Sequence, residues 1–115
     1  MPRSHWKINI DAKNESNASK VVNKCIKELG RPPVDSAIEE YSKGGYMAIL
    51  QFYHDDTLEW PEIVYEIILF SEKLGAGWSL LGSITNEPFG ILSKENGAKI
   101  KIPGILWAEW QITHD

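Results

Sequence analysis

The chain has one cysteine, Cys25, in 115 residues. No internal disulfide can form, and a reducing, cytoplasmic setting fits that composition. No apolar run approaches the ~18 residues of a membrane span, so no membrane partner is expected. The opening stretch MPRSHWKINI lacks the apolar segment of about 7–15 residues that a secretory leader carries. There is no Gly-x-Ser-x-Gly elbow to expose a nucleophile. Gly75-Ala76-Gly77 follows a predicted helix, whereas phosphate-binding glycines lead into one. The histidines are His5, His54 and His114. They have no set of spaced partners for a zinc-type site, which wants about four N, S or O ligands. No metal and no cofactor is expected.

Positive charge is also missing over a long stretch. No Lys or Arg occurs from Gly44 through Glu72, while six acids fall between Asp55 and Glu72. The formal net charge is −4 and the isoelectric point about 5.4. Residues 1–57 hold eight bases and eight acids; residues 58–115 hold four and eight. All the excess acid therefore lies in the second half. A duplex DNA or RNA binder wants a basic stripe for phosphates, so nucleic acid is not the expected partner.

What remains is an ordinary soluble composition, 43% hydrophobic and 24% charged, long enough to bury an apolar core as one domain, residues 1–115. Trp6, Ile8 and Ile10 alternate with Lys7, Asn9 and Asp11, which predicts a half-buried strand over His5 to Asp11. Val22, Cys25, Ile26 and Leu29 have i, i+3, i+4, i+7 spacing, which predicts an amphipathic helix. Ser16 or Asn17 is placed to cap its start and Gly30 to end it. Cys25 then faces the core as a small hydrophobe.

Residues 35–42 suit a short helix or a strand. A strand is preferred, because SKGG reads as a hairpin turn before the aromatic-rich strand Tyr46 to Tyr53. A second helix is predicted over Leu58 to Leu74. Asp56 or Thr57 would be its N-cap, Pro61 lies in its first turn, and Gly75 and Gly77 end it. Strands follow at Trp78 to Ile84 and Phe89 to Ser93. Asn96-Gly97 then signals a hairpin to Lys99–Ile102, and Ile105 to Ile112 resumes alternation. The order strand, helix, strand, strand, helix, strand predicts an α+β, ferredoxin-like βαββαβ sandwich, with two helices on one face of an antiparallel sheet and an added C-terminal hairpin.

The second helix carries the strongest surface signal. Trp60, Ile63, Ile67, Phe70 and Leu74 share its core face, and Glu59, Glu62, Glu66 and Leu69 form an adjoining stripe. The helix macrodipole favours Asp55, Asp56 and Glu59 at the N-terminus, and its reach extends at most to Glu62. It does not favour Glu66, and Glu62 and Glu66 repel at i, i+4. An apolar residue inside a patch of one sign is the pattern of a protein-binding surface. Trp6, Trp60 and Trp78 read as core. Trp107 and Trp110 differ by three within a strand and so point to opposite faces. Either that strand is buried on both sides, or one indole stands exposed beside Glu109 as an anchor. YMAILQFY lacks the basic residues of an RNA-recognition strand.

The compact α/β pattern, the mild acidity, and the tryptophan-rich stretches GWSLLGSITNEP and PGILWAEWQI resemble the small bacterial immunity proteins encoded beside contact-dependent-inhibition and other polymorphic toxins. The resemblance implies a non-enzymatic protein that binds a cognate toxin domain, often a nuclease, and covers its active site or substrate surface. On that reading Asp55, Asp56, Glu59, Glu62, Glu66 and Glu109 meet basic groups, and Leu69, Trp107 and Trp110 supply apolar anchoring. The alternatives are a dimeric ferredoxin-like ligand-binding domain or enzyme with a pocket between sheet and helices, and an assembly module that pairs through its sheet edge.

Overall fold

The computed structural model describes residues 2–113. In chain order they form β1 (Arg3–Ile10), α1 (Glu15–Leu29), β2 (Asp35–Glu40), β3 (Tyr46–Tyr53), α2 (Trp60–Ser71), β4 (Gly75–Ala76), β5 (Ser79–Leu81), β6 (Phe89–Ser93), β7 (Lys99–Ile100) and β8 (Ile105–Thr113). Six strands make one sheet in the order β2-β3-β1-β8-β6-β5. Every pairing in it is antiparallel. It follows that β1 and β2 run parallel with β3 between them. The two-residue strands β4 and β7 pair apart from this sheet.

Alternation decides which side of the sheet is dry. Trp6, Ile8 and Ile10 of β1 are fully buried, as are Ala48 and Leu50 of β3, Leu92 of β6, and Ala108 and Trp110 of β8. All of them point to one face. Both helices cover that face: α1 with Ala18, Val22, Cys25 and Leu29, and α2 with Ile63, Val64, Ile67 and Phe70. The structure is thus an α+β fold with two helices packed on an antiparallel sheet. Trp6 sits at its centre, edge-on to Phe52, Phe70 and Trp78 with ring centroids 5.6–6.3 Å apart. Such pairs add about 0.5–1.5 kcal/mol beyond area burial.

Local chemistry sets the element ends. Asn14, not Ser16 or Asn17, caps α1, its side chain accepting from the Asn17 N–H at 2.8 Å. Gly30 ends the helix in the left-handed region at φ 84. Residues 35–40 are strand, and the turn into β3 closes through Gly44 and Gly45 at positive φ. Helix α2 begins with Glu59 as N-cap rather than Asp56 or Thr57, and Pro61 occupies its first turn.

The last third differs from the sequence expectation. In place of a strand over Trp78 to Ile84 the chain has only Ser79–Leu81, bracketed by Gly77 and Gly82 at φ 83 and φ 76. Trp78 turns inward, its Nε1 donating to the carbonyls of Ser71 and Gly75 at 3.0 and 3.1 Å. Asn96-Gly97 does not join paired strands. Ser93 Oγ accepts from the Glu95 N–H and starts a 3-10 turn over Lys94–Asn96, which Gly97 closes. This turn redirects the chain, and β7 reaches β4 instead of β6. Nor is the C-terminal strand an added hairpin. β8 lies in the middle of the sheet between β1 and β6, with Trp110 opposite Trp6 and Ala108 opposite Ile8.

Candidate functional site

The acids of HDDTLEWPEIVYE are met by several different groups. Asp55 accepts from both the N–H and the Oγ1 of Thr57, at 2.9 and 2.7 Å. Those bonds hold its carboxyl below the usual carboxylate range. The Glu62 carboxylate accepts from the Glu59 N–H at 3.1 Å, satisfying a donor at the helix start that has no partner within the helix. Asp56, Glu59 and Glu62 are exposed. Glu66 is not a spare acid: its Oε1 accepts from Arg31 Nη2 at 3.0 Å and faces His54 Nδ1 at 3.1 Å. The local reason that periodicity could not supply for Glu66 is therefore Arg31, held on the far side of the Pro32-Pro33 connector and stacked 4.6 Å over the Phe70 ring.

His54 continues this chain inward. Its Nε2 lies 2.7 Å from Ser4 Oγ, which also accepts from Trp6 Nε1 at 2.8 Å. Donor counting fixes the protons. The Glu66 carboxylate can only accept, so Nδ1 carries the proton it receives; in the neutral imidazole Nε2 then accepts from the Ser4 hydroxyl, whose oxygen accepts from Trp6. Arg31 Nη2 also lies 3.4 Å from Nδ1, but with both atoms protonated the two converge on Glu66 rather than on each other. Burial pushes the His54 pKa below its ordinary 6.5; the hydrogen bond to Glu66 opposes this. Burial alone would raise Glu66, but bonds from His54 and Arg31 outweigh it and hold the carboxyl below its ordinary 4.5.

Serine, histidine and carboxylate in this order have the connectivity of a nucleophilic triad. The surroundings do not suit that chemistry. Ser4 and His54 are 0% and 1% exposed, so no substrate reaches the hydroxyl, and its oxygen already accepts from Trp6. The chain reads as a buried lock that ties the start of β1, the end of β3, α2 and the α1–β2 connector together. Cys25 is likewise buried, its thiol pushed up to about 12 by desolvation, which keeps it an inert hydrophobe. Among the described residues no three His, Cys, Asp or Glu side chains gather to hold a metal ion; His114 lies outside them. No described helix is long and apolar enough to cross a membrane.

The outward side of α2 is apolar at its middle. Tyr65 is 63% exposed and Leu69 46%, and their spacing of four places them side by side. Next to them runs a groove of about 210 Å³ lined by Trp60, Pro61, Val64, Tyr65, Ile68, Ile84 and Thr85. The Trp60 Nε1 bond to the Ile84 carbonyl, 3.1 Å, fixes its far wall, and Ile84 is itself 53% exposed. Glu62 and Glu66 flank the apolar strip on the other side. A cavity of about 550 Å³ lies between the Gly82–Phe89 loop and the end of β8. Its lining contains a single titratable side chain, Glu87.

The nine sequence-predicted site residues do not form one surface. Asp55, Asp56, Glu59, Glu62, Glu66 and Leu69 gather along α2. Trp107 and Glu109 lie on the helix-free face of the sheet, Trp107 half-buried edge-on to Tyr41 and Glu109 opposite Lys7. Trp110 is fully buried and cannot anchor a partner; between the two indoles only Trp107 retains exposed surface. The indole of Trp110 lies over Gly90, its cross-strand neighbour, and among the described residues its N–H has no hydrogen-bond partner. Sequence reasoning missed Arg31, Ser4, Tyr65 and Ile84. Only Tyr65 left a signal, as an aromatic four residues from both Pro61 and Leu69.

No family model matches the chain, and no solved structure matches it. General transcription factor IIH subunit 4 of Dictyostelium discoideum is 33% identical over 76 residues, taking in 64% of this chain. The chain spans 15% of that protein's length.

Proposed function

We propose that this chain is a non-enzymatic protein-binding domain that engages a basic partner through the outer side of α2, and that the partner is a cognate toxin whose substrate surface it covers. The observation that carries this reading is the joining of exposed Tyr65 and Leu69 to exposed acids Asp56, Glu59 and Glu62, in a stretch from residue 44 to 72 without Lys or Arg, with exposed Ile84 alongside. Apolar anchors in a shallow groove contribute most of the affinity of such an interface. The acids raise the association rate and select the sign of the partner. Glu66 takes a smaller part, since a partner arginine has to displace Arg31. The frame is of ferredoxin-like type on this reading: β1, α1 and β2 form a split βαβ unit around β3, and β8 stands where the fourth strand belongs.

The likeness to subunit 4 of a general transcription factor favours a second reading, an assembly domain within a larger complex. The two differ in what is captured. Tagged protein drawn through a lysate of its source cells should retain one stoichiometric partner with a basic face, released at high salt. An Asp56→Lys/Glu62→Lys variant and a Tyr65→Ala/Leu69→Ala variant should each lose it. Under the toxin reading the captured protein is harmful when produced alone and is neutralised by the wild-type chain only. A harmless, stably assembled partner supports the second reading. Capture unchanged by both variants overturns the placement on α2.

A further inference from the structure

The six-stranded sheet has two edges, and they are treated differently. β5 is three residues long and bracketed by glycines, a blunted edge of the kind that resists pairing. β2 is six residues long, has no internal proline, and among the described residues pairs only with β3. Five of its residues are exposed; only Ile38 is half-buried.

Register identifies which main-chain groups are free. Tyr41 donates to Gly45, directly opposite it, at 3.0 Å. Antiparallel pairs alternate between bonded and non-bonded. Asp35, Ala37 and Glu39, opposite Gln51, Ile49 and Met47, therefore turn their N–H and C=O groups to β3. Ser36, Ile38 and Glu40 turn theirs outward. The side chains along this edge include three acids, Asp35, Glu39 and Glu40, and no base.

We infer that the free edge of β2 is a docking strand for a basic, extended segment of a partner protein. The outward main-chain groups of Ser36, Ile38 and Glu40 would supply the ladder, and Asp35 and Glu39 would select Lys or Arg on either side of a small residue opposite Ala37. Charge excludes a second copy of this chain as the occupant. Self-pairing would bring three acids from each strand to one seam with no base between them, and opposed like charges destabilise a strand pair. This surface is separate from α2, and either can fail without the other.

The test uses two blocked hexapeptides, one alternating lysine with valine and one alternating glutamate with valine, titrated into the isotopically labelled full chain. The lysine peptide should slow exchange of the Ser36, Ile38 and Glu40 amides, leave those of Ala37 and Glu39 unmoved, and bind more weakly as salt rises. Ser36→Pro removes one outward N–H without touching the β3 ladder. It should keep the wild-type melting temperature and weaken binding by about tenfold, the size of one lost main-chain bond. Asp35→Lys/Glu39→Lys should reverse the preference to the glutamate peptide. Equal binding of both peptides, effects confined to α2, no protection at the three amides, or an unaltered Ser36→Pro affinity each overturns the inference.

Discussion

Replacing His54 with phenylalanine cuts the buried chain that joins Trp6, Ser4, His54 and Glu66, while filling the imidazole's space with a slightly larger ring. The Ser4 hydroxyl, fully buried, then carries a proton with no acceptor, which costs roughly 1–3 kcal/mol. Losing the contact to Glu66 adds little, because that carboxylate is one-third exposed and keeps Arg31. With some overpacking by the larger ring, the total is about 2–4 kcal/mol. At roughly 3–6 °C per kcal/mol for a chain of this size, the melting temperature should fall by about 6–24 °C.

A thermal double-mutant cycle with Ser4→Ala isolates the link. Ser4→Ala alone strands two groups, the Trp6 N–H and His54 Nε2. The double variant strands only the Trp6 N–H, so it should cost less than the sum of the single variants by ~1 kcal/mol or more. Additivity to within about 0.5 kcal/mol would refute the chain. The same chain sets a pH dependence. Protonating Nε2 would make the Ser4 oxygen accept twice and leave its own proton without a partner, so the folded state favours neutral His54. Its pKa is lowered on folding from 6.5; the unfolded state therefore binds the proton more readily, and stability rises with pH. His54's contribution is full above pH 6.5 and is lost as the pH falls below it. Glu66, lowered from 4.5, adds a contribution present above pH 4.5 and lost below. Wild-type melting temperature should drop between about pH 7 and pH 5, and that of His54→Phe should stay nearly flat there.

Gly90→Ala should destabilise by about 1–3 kcal/mol in chemical denaturation, because a Cβ there would lie 2.5 Å from Trp110 Nε1 in a rigid, buried ring; unchanged stability would show that the indole can move aside. Trp110→Phe should cost less than Trp6→Phe in the same assay, since the Trp6 N–H is bonded to Ser4 and the Trp110 N–H has no partner. Glu62→Ala should lower stability by about 0.5–1 kcal/mol through loss of its bond to the Glu59 N–H, with no effect if that helix start is frayed in solution. Cys25 should resist an aromatic disulfide reagent in the native state and react at once in denaturant; rapid native labelling would contradict its burial.

The parts of the fold read correctly from sequence are those decided by neighbours. Trp6-Ile8-Ile10 alternation, the Val22 to Leu29 spacing and the Gly44-Gly45 turn each need only a few adjacent residues. The errors arise where distant residues decide. Ile105–Thr113 looks like the arm of a terminal hairpin until β1 is seen to lack a partner on one side. Asn96-Gly97 carries a hairpin signal, but Ser93 diverts the backbone into a 3-10 turn. The site shows the same division. Parity alone set Trp107 and Trp110 on opposite faces, but only the assembled sheet determines that Trp110 is the buried one. No helical wheel could have found Arg31 for Glu66, because the two are 35 residues apart and meet only through the packing of α2 against the α1–β2 connector.

The central position of β8 bears on how the chain is made. β1 leaves the ribosome before the other strands of its sheet, but it gains its second neighbour only when Ile105–Thr113 has emerged. Until then a nascent chain holding β1, β3 and both helices displays one flank of β1 as an unpaired strand, with Trp6 lacking the cover of Trp110. Translation therefore cannot lay this domain down piece by piece: the sheet closes in one late event. A stalled or prematurely terminated product that lacks β8 presents an open, hydrophobic strand, well suited to chaperone capture and proteolysis.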